Sequence, residues 1–166
     1  MKNTIKVTTA GDREIVITRD LDAPRRLVWE ALTKPEFIRQ WLFGPPGWTM
    51  TVCEDDCRVG GKFRWEWSGH EGAAMAMTGV YREVVPPERA VRTETFVFGC
   101  APQAGEQLGT LTLVEKDEKT HLEVRVVYPS KEARDGAIAS GMERGMAAGY
   151  DRLEEMLAAM DEKAIV

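Results

Sequence analysis

Gly141-Met142-Glu143-Arg144-Gly145-Met146-Ala147-Ala148-Gly149-Tyr150 lies in a segment that predicts one long C-terminal helix. A glycine inside a helix costs about 1 kcal/mol relative to alanine, so three glycines spaced four apart need a reason. Residues four apart share one helix face, so the glycines predict a smooth groove beside Met142 and Met146. Such a groove lets a sheet approach closely or leaves room for a ligand.

The ends and the inward face of this helix are also visible in the sequence. Ser130 is a good N-cap residue, and Glu132 follows it in the first turn, where a negative charge is favourable. The apolar stripe repeats at helical spacing. Its members are Ile138, Met142, Gly145, Met146, Gly149, Tyr150, Leu153, Met156 and Leu157.

The N-terminal part of the chain predicts one strand and two short helices. Residues 13–21 form a β-rich run, and Asp22-Ala23-Pro24 then opens a helix. Thr33-Lys34-Pro35-Glu36 matches the capping-box pattern, which predicts that a second helix starts there. Gly44-Pro45-Pro46-Gly47 ends that helix.

The middle of the chain predicts a succession of antiparallel strands separated by turn signals at roughly ten-residue spacing. Apolar and polar residues alternate clearly in residues 62–68 and 121–128, so each strand buries one face. The predicted strands lie near 48–57, 62–68, 74–84, 90–98, 108–116 and 121–128. With residues 13–21, about six to seven strands form one curved antiparallel sheet wrapped around the C-terminal helix. The predicted fold class is α+β, a helix-grip.

Composition and charge exclude several classes of protein. The chain has 166 residues and a formal net charge of -5, with no basic run longer than Arg25-Arg26, which argues against nucleic-acid binding. It has no apolar run long enough to span a membrane and no apolar N-terminal leader. We therefore expect a cytoplasmic protein.

Neither metal nor cofactor chemistry has a signature here. The three cysteines, Cys53, Cys57 and Cys100, are odd in number and are expected to be reduced. His70 falls in a predicted turn and His121 on an outer strand face. Nothing supplies the three or four converging ligands of a zinc site, and phosphate- or dinucleotide-binding loops are absent. We expect no cofactor.

Five motifs occur in order along the sequence. They are Asp22-Ala23-Pro24 with Val28-Trp29, Ala31-Leu32-Thr33, Pro35-Glu36 and Trp41; Gly44-Pro45; residues 56–63; residues 79–89 with Thr93-Glu94; and Gly141-Met142 with Gly145-Met146 and Leu153. Together they resemble the START-like superfamily (Bet v allergen-like, SRPBCC), and within it bacterial members of the family named for the activator of heat-shock protein 90 ATPase. The resemblance covers residues 13–160, so we expect a single domain there, an extension at 1–12 and a tail at 161–166.

This resemblance implies an apolar cavity between the sheet and the helix, and it is compatible with several functions. The superfamily includes lipid carriers, cyclases and sensors. The eukaryotic activator has a further N-terminal domain that this sequence lacks. A chaperone-interacting or stress-response module is therefore one alternative, and a homodimer is another open question.

Glu83 is the candidate for acid–base chemistry, and no other catalytic residue is predicted. It alternates with Gly79 and Tyr81, so an inward Tyr81 predicts an inward Glu83. A carboxyl group in an apolar cavity has a raised pKa and can act as a general acid or base, as in a cyclase or hydrolase. The alternative is a structural partner for an arginine.

The stronger signal is a set of aromatic and methionine residues, because methionine suits surfaces that accept varied apolar ligands. The alternative is a filled core, and the face on which Phe96 lies is open, since Arg92 and Glu94 share its alternation. The hypothesis is a carrier or sensor for an apolar or aromatic small molecule. Its predicted ligand-binding residues are Trp41, Trp48, Trp65, Met75, Met77, Tyr81, Phe96, Met142 and Met146.

Overall fold

The computed structural model describes residues 5–98 and 101–165. Within them, one sheet is built from eight strands and is accompanied by four α-helices, which confirms the α+β fold with one more strand than expected. The strands are β1 (Lys6–Ala10), β2 (Glu14–Leu21), β3 (Thr49–Asp55), β4 (Lys62–Ser68), β5 (Ala74–Val85), β6 (Arg89–Phe98), β7 (Ala101–Lys116) and β8 (Lys119–Val127). The helices are α1 (Arg25–Thr33), α2 (Pro35–Trp41), α3 (Lys131–Ala139) and α4 (Met142–Ile165).

The sheet is antiparallel throughout, in the order β1-β2-β8-β7-β6-β5-β4-β3. Its edge strand β1 lies within the segment predicted as an N-terminal extension, and it pairs with β2. The register shifts between Met50 and Val52, between Tyr81 and Glu83, and between Thr95 and Val97. Bulges of this kind bend a sheet and increase its twist, so they give it the curvature that a central helix requires.

Two prolines set the start of the paired helices α1 and α2. Pro24 is the residue before α1, and Pro35 is the first residue of α2. Lys34 between the helices is extended, as a residue before proline prefers. The capping-box prediction was wrong at Thr33, because the hydroxyl group of Thr33 donates to the carbonyl oxygen of Trp29 instead of capping α2.

The C-terminal helix is divided in two, which corrects the prediction of one long helix. Ser130 caps α3 as predicted, since its Oγ accepts a hydrogen bond from the amide of Ala133 at 3.0 Å. The helix then stops at Ser140, and Gly141 has a φ of +84°. Only glycine adopts such a backbone readily. Gly141 therefore breaks the helix and is not part of a groove along it.

A buried arginine anchors α4 to the sheet. Arg19 points inward from β2, with 1% of its side chain exposed, and its Nη2 lies 2.8 Å from Oδ1 of Asp151. Its Nε lies 3.2 Å from Oε1 of Glu154. Both acidic partners are partly exposed, so each pair stabilises the contact less than a fully buried ion pair would. These two contacts hold the middle of α4 against β2.

The buried apolar side chains form two clusters. The first cluster, which includes Ile17, contains residues of β1, β2, β7, β8 and α1. Helix α4 packs against them through Tyr150, Leu153 and Leu157. The second cluster, centred on Phe63, joins α2 to β3, β4, β5 and β6. Trp29 and Leu42 contact both clusters. None of the helices in the described residues is long and apolar enough to cross a membrane.

Replacing Gly141 with alanine should destabilise the protein by about 1 kcal/mol or more, because alanine is strained at a positive φ. Gly136 inside α3 is the matched control, since both positions have open space where a Cβ would lie. Gly136→Ala should stabilise the protein by about 0.4–1 kcal/mol. Urea unfolding followed by circular dichroism measures both changes. Equal effects of the two substitutions would contradict the role given to Gly141.

Candidate functional site

A charged pair lies on the concave side of β6. The Nε of Arg92 donates to Oε2 of Glu94 at 2.9 Å, and the Nη1 of Arg92 lies 3.3 Å from the hydroxyl oxygen of Tyr81. The sequence left open which face of β6 carries Arg92, Glu94 and Phe96. In the structure, the two charged residues face the interior. Phe96, two residues further along, is half-buried and pairs in register with Met77.

Aromatic rings hold the guanidinium group of Arg92 in place. Its central carbon lies 4.1 Å from the ring centre of Phe63 and 4.7 Å from that of Trp65. Gly79 makes this packing possible, because a Cβ there would lie 2.6 Å from the Phe63 ring. A cation stacked on aromatic faces is attracted to their π electrons. The arginine side chain is therefore fixed before any ligand arrives.

Asp55 completes the cluster from the end of β3. The hydroxyl group of Tyr81 donates to its Oδ1 at 2.6 Å. Burial raises the pKa of the Asp55 carboxyl to about 6, although the hydrogen bond from Tyr81 and the charge of Arg92 act to lower it. The indole of Trp65 lies close to the carboxyl group and also favours its charged form.

Glu94 connects this cluster to the residues that face it. Its Oε1 accepts a hydrogen bond from the side chain of Gln107 at 3.0 Å. Gly109 provides the space, because a Cβ there would lie 2.9 Å from the Glu94 carboxylate. Burial raises the pKa of Tyr128 to about 12, and the charge of Glu94 adds to that effect. The field of Glu94 therefore reaches the end of β8. We call Asp55, Tyr81, Arg92, Glu94 and Gln107 the polar cluster.

Glu83 does not face the interior, so that prediction was wrong. Its side chain is 48% exposed, and its Oε1 lies 3.2 Å from the Nε of Arg89. The bulge between Tyr81 and Glu83 is the reason, because the extra residue reverses which face the following side chains occupy. Tyr81 is buried as predicted, but the alternation does not continue past it. The interior carboxylates are those of Asp55 and Glu94.

The predicted ligand-binding residues divide between the two apolar clusters. Trp48, Trp65, Met75, Met77 and Tyr81 belong to the second cluster or pack against it. Trp41, Met142 and Met146 belong to the first cluster or pack against it. A hydrogen bond from Trp41 links α2 to α1, because its Nε1 donates to the carbonyl oxygen of Ala31 at 2.9 Å.

The glycines of α4 show where the two clusters separate. At Gly149 a Cβ would lie 3.8 Å from the Trp41 ring, which is ordinary contact. At Gly145, one turn earlier on the same face, a Cβ would meet no atom within 4 Å, and the residue is exposed. This face of α4 therefore contacts Trp41 at Gly149 and is open at Gly145. We use the name cleft for the candidate site on this face, between the N-terminal half of α4 and β4–β6.

A separate shallow groove lies on the outside of the protein between α2 and α4. Arg152 stacks 4.1 Å above the Phe43 ring there and donates to the carbonyl oxygen of Gly44 at 2.9 Å. Met156 lines the same groove. Its lining includes no member of the polar cluster and no predicted ligand-binding residue, so we take the cleft as the candidate site.

Metal-ligand and nucleophile signals are weak in the part of the chain that the structure describes. It contains no group of three or more histidine, cysteine or acidic residues that could hold a metal ion. Burial raises the pKa of the Cys53 and Cys57 thiols to about 11, which makes them poor nucleophiles. Both are free, and Cys100 lies outside the described residues. His70 and His121 are exposed, as predicted.

The sequence alone did not predict that Asp55, Arg92, Glu94 and Gln107 would join Tyr81 in one hydrogen-bonded cluster. One usable signal existed, because Arg92 and Glu94 alternate with Phe96 and so had to face the same side. Asp55 gave no signal, since acidic residues at the end of a strand are common in turns. Its carboxyl group meets Tyr81 across β4, which lies between β3 and β5 in the sheet, so the contact depends on the register of three strands.

Comparison with known proteins agrees with this architecture. Residues 22–158 match the family model described as activator of Hsp90 ATPase homolog 1-like protein. A crystal structure from Rhodobacter sphaeroides is 34% identical, covers 94% of this chain and 99% of its own, and superposes with a TM-score of 0.86.

Two further solved structures are more distant. One from Nitrosomonas europaea is 25% identical over 93% of this chain and 99% of its own, with a TM-score of 0.78. One from Mycobacterium smegmatis, 22% identical over 96% of this chain and 99% of its own, shares the fold with a TM-score of 0.81. No protein with a curated description matches the sequence.

Replacing Asp55 with asparagine should stabilise the protein at pH 7.5 and leave it unchanged near pH 4. The folded-state pKa of about 6 lies above the ordinary value of 3.8, so the native carboxyl holds its proton more tightly than the unfolded one. The native state therefore loses stability as the pH rises from about 4 to about 6, on the order of 3 kcal/mol in total. Asparagine keeps the acceptor for Tyr81 and removes this loss.

The measurement is the free energy of unfolding of both proteins between pH 4 and pH 8. Asp56→Asn is the control, because that neighbouring side chain is 51% exposed. The free energy of unfolding of Asp56→Asn should not rise relative to the wild type as the pH increases. A gain for Asp55→Asn that is the same at every pH would show that burial of this carboxyl does not set its ionisation.

Proposed function

The chain belongs to the activator of Hsp90 ATPase homolog 1-like family, and we propose that it is a small-molecule binding protein. It would act as a carrier or sensor in the cytoplasm, holding an apolar or aromatic ligand in the cleft between the sheet and α4. The observation that carries this proposal is the open space at Gly145 beside a closed contact at Gly149.

The residues around the cleft support a ligand that is mainly apolar. Met75 and Met77 on β5 and Met142 and Met146 on α4 are all half-buried. Methionine side chains are flexible and polarizable, so they can adapt to ligands of different shape. Half-buried apolar side chains on opposite walls also gain from a ligand that removes them from water, at about 25 cal/mol for each Å² covered.

The alternative of a filled core is less well supported. A filled core would bury the methionines and would place side chains against the glycine face of α4. Near Gly145 the backbone is exposed and the position of a Cβ is empty, and Met142 and Met146 are only partly buried against the first cluster. The packed part of the interior lies further along α4, at Leu153 and Leu157.

Replacing Gly145 with leucine should abolish ligand binding without unfolding the protein, because the new side chain would project from the glycine face where the cleft opens. The probe is N-phenyl-1-naphthylamine, a neutral dye that fluoresces when it enters an apolar site. Wild-type protein should enhance its fluorescence in a saturable manner. Gly145→Leu should weaken binding at least tenfold.

Gly136→Leu is the matched control, since Gly136 also has open space around it but lies in α3. It should bind the dye as the wild type does. Undiminished affinity in Gly145→Leu, with unchanged circular dichroism, would place the dye outside the cleft. Native mass spectrometry of the protein purified from its own host then gives the mass of any natural ligand.

Acid–base catalysis is a second candidate function, and Asp55 is the observation that favours it. Its carboxyl group is buried, is hydrogen-bonded to Tyr81, and has a pKa of about 6. A carboxyl group with a pKa near the working pH can exchange protons with a bound molecule. Asp55→Asn should then stop proton exchange between a bound ligand and D₂O, as measured by NMR, while ligand affinity is retained.

A further inference from the structure

We propose that Glu94 sets the ligand specificity of the cleft. By pairing with Arg92, it directs the cleft toward neutral ligands that carry a hydroxyl or carbonyl oxygen and away from carboxylates. This inference rests on the proposed function and goes further, since it names the chemical class of the ligand and the residue that selects it.

Arg92 is a hydrogen-bond donor held ready for a ligand. Its Nε is committed to Glu94 and its Nη1 to Tyr81, whereas its Nη2 makes no hydrogen bond with any residue that the structure describes. One-fifth of the side chain is exposed (20%), and the rings of Phe63 and Trp65 fix its position. Such a donor favours an oxygen acceptor and loses little freedom on binding it.

An arginine in a cleft ordinarily favours a carboxylate ligand, but here the countercharge is already present. Glu94 supplies one negative charge at 2.9 Å, and Asp55 supplies another above its pKa of about 6. A carboxylate would therefore enter a site with a net charge of zero or below, and it would be desolvated without compensation. An ammonium group fits no better, because it offers no acceptor to Nη2.

The pairing of Glu94 with Arg92 is built into the fold. The carboxylate of Glu94 fits because position 109 has no side chain, and Gln107 holds its second oxygen at 3.0 Å. Behind Arg92, the indole of Trp65 is only 7% exposed and favours the charged form of Asp55.

The experiment compares three probes of the same shape at pH 7.5 by isothermal titration: naphthalene, 2-naphthol and 2-naphthoate. Wild-type protein should bind 2-naphthol about tenfold more tightly than naphthalene, since one hydrogen bond to a charged donor contributes that much. It should bind 2-naphthoate no better than naphthalene. Glu94→Gln keeps the side-chain volume and the contact with Gln107, and it should raise 2-naphthoate affinity at least tenfold.

Two further variants separate specificity from general damage. Glu83→Gln removes an exposed carboxylate of the next strand and should change no affinity. The double variant Arg92→Met with Glu94→Gln removes both charges together, so neither is left buried alone. It should bind naphthalene and 2-naphthol equally.

The outcomes distinguish this inference from the proposed function. Equal wild-type affinity for naphthalene and 2-naphthol would overturn the inference and leave an apolar binding protein. Unchanged 2-naphthoate affinity in a folded Glu94→Gln variant would also overturn it. Failure of wild-type protein to bind any of the three probes would count against the proposed function itself.

Discussion

The structure depends on the way in which a curved sheet meets a single helix. Arg19 of β2 fixes α4 through Asp151 and Glu154, both in the middle of the helix. The C-terminal part of α4 then packs through Leu153 and Leu157 into the first cluster. The part of the sheet farthest from Arg19, at β3 and β4, packs instead against α2 through the second cluster. The proposed cleft is assigned to the space between these two packed regions.

The polar cluster lies where an apolar core would give more stability. Burying a charged pair costs desolvation energy that mutual attraction often fails to recover, and apolar replacements are frequently as stable. Asp55 illustrates that cost, because burial raises its pKa. Perturbed ionisable groups in a cleft point to function more often than to stability. The polar cluster is therefore the part of the interior to test by experiment.

Much of the fold was predictable, because the signals were local or repeated. The alternation of Phe63, Trp65 and Trp67 and the cap at Ser130 correspond to the observed β4 and α3. The break at Gly141 was not predicted, because the sequence does not distinguish a glycine that ends a helix from one that leaves a groove along its face. The orientation of Glu83 was lost at a bulge, and the position of a bulge depends on pairing with the neighbouring strand.

The candidate site was harder to predict, because its members come from separate strands. Asp55, Tyr81 and Arg92 lie on β3, β5 and β6, and their contacts follow from sheet register rather than sequence spacing. Aromatic and methionine content pointed to an apolar interior, and the structure divides that set into two walls. Composition carries no information about such a division.

The position of the Trp65 indole gives the protein a distinctive fluorescent group. Trp41 and Trp67 donate to the backbone carbonyls of Ala31 and Leu42, so their surroundings are fixed by the fold. Trp65 instead lies under a guanidinium group and beside a carboxyl group. The emission colour of an indole shifts with the electric field across its rings. The emission wavelength of Trp65 should therefore depend on the charges of the guanidinium and carboxyl groups beside it.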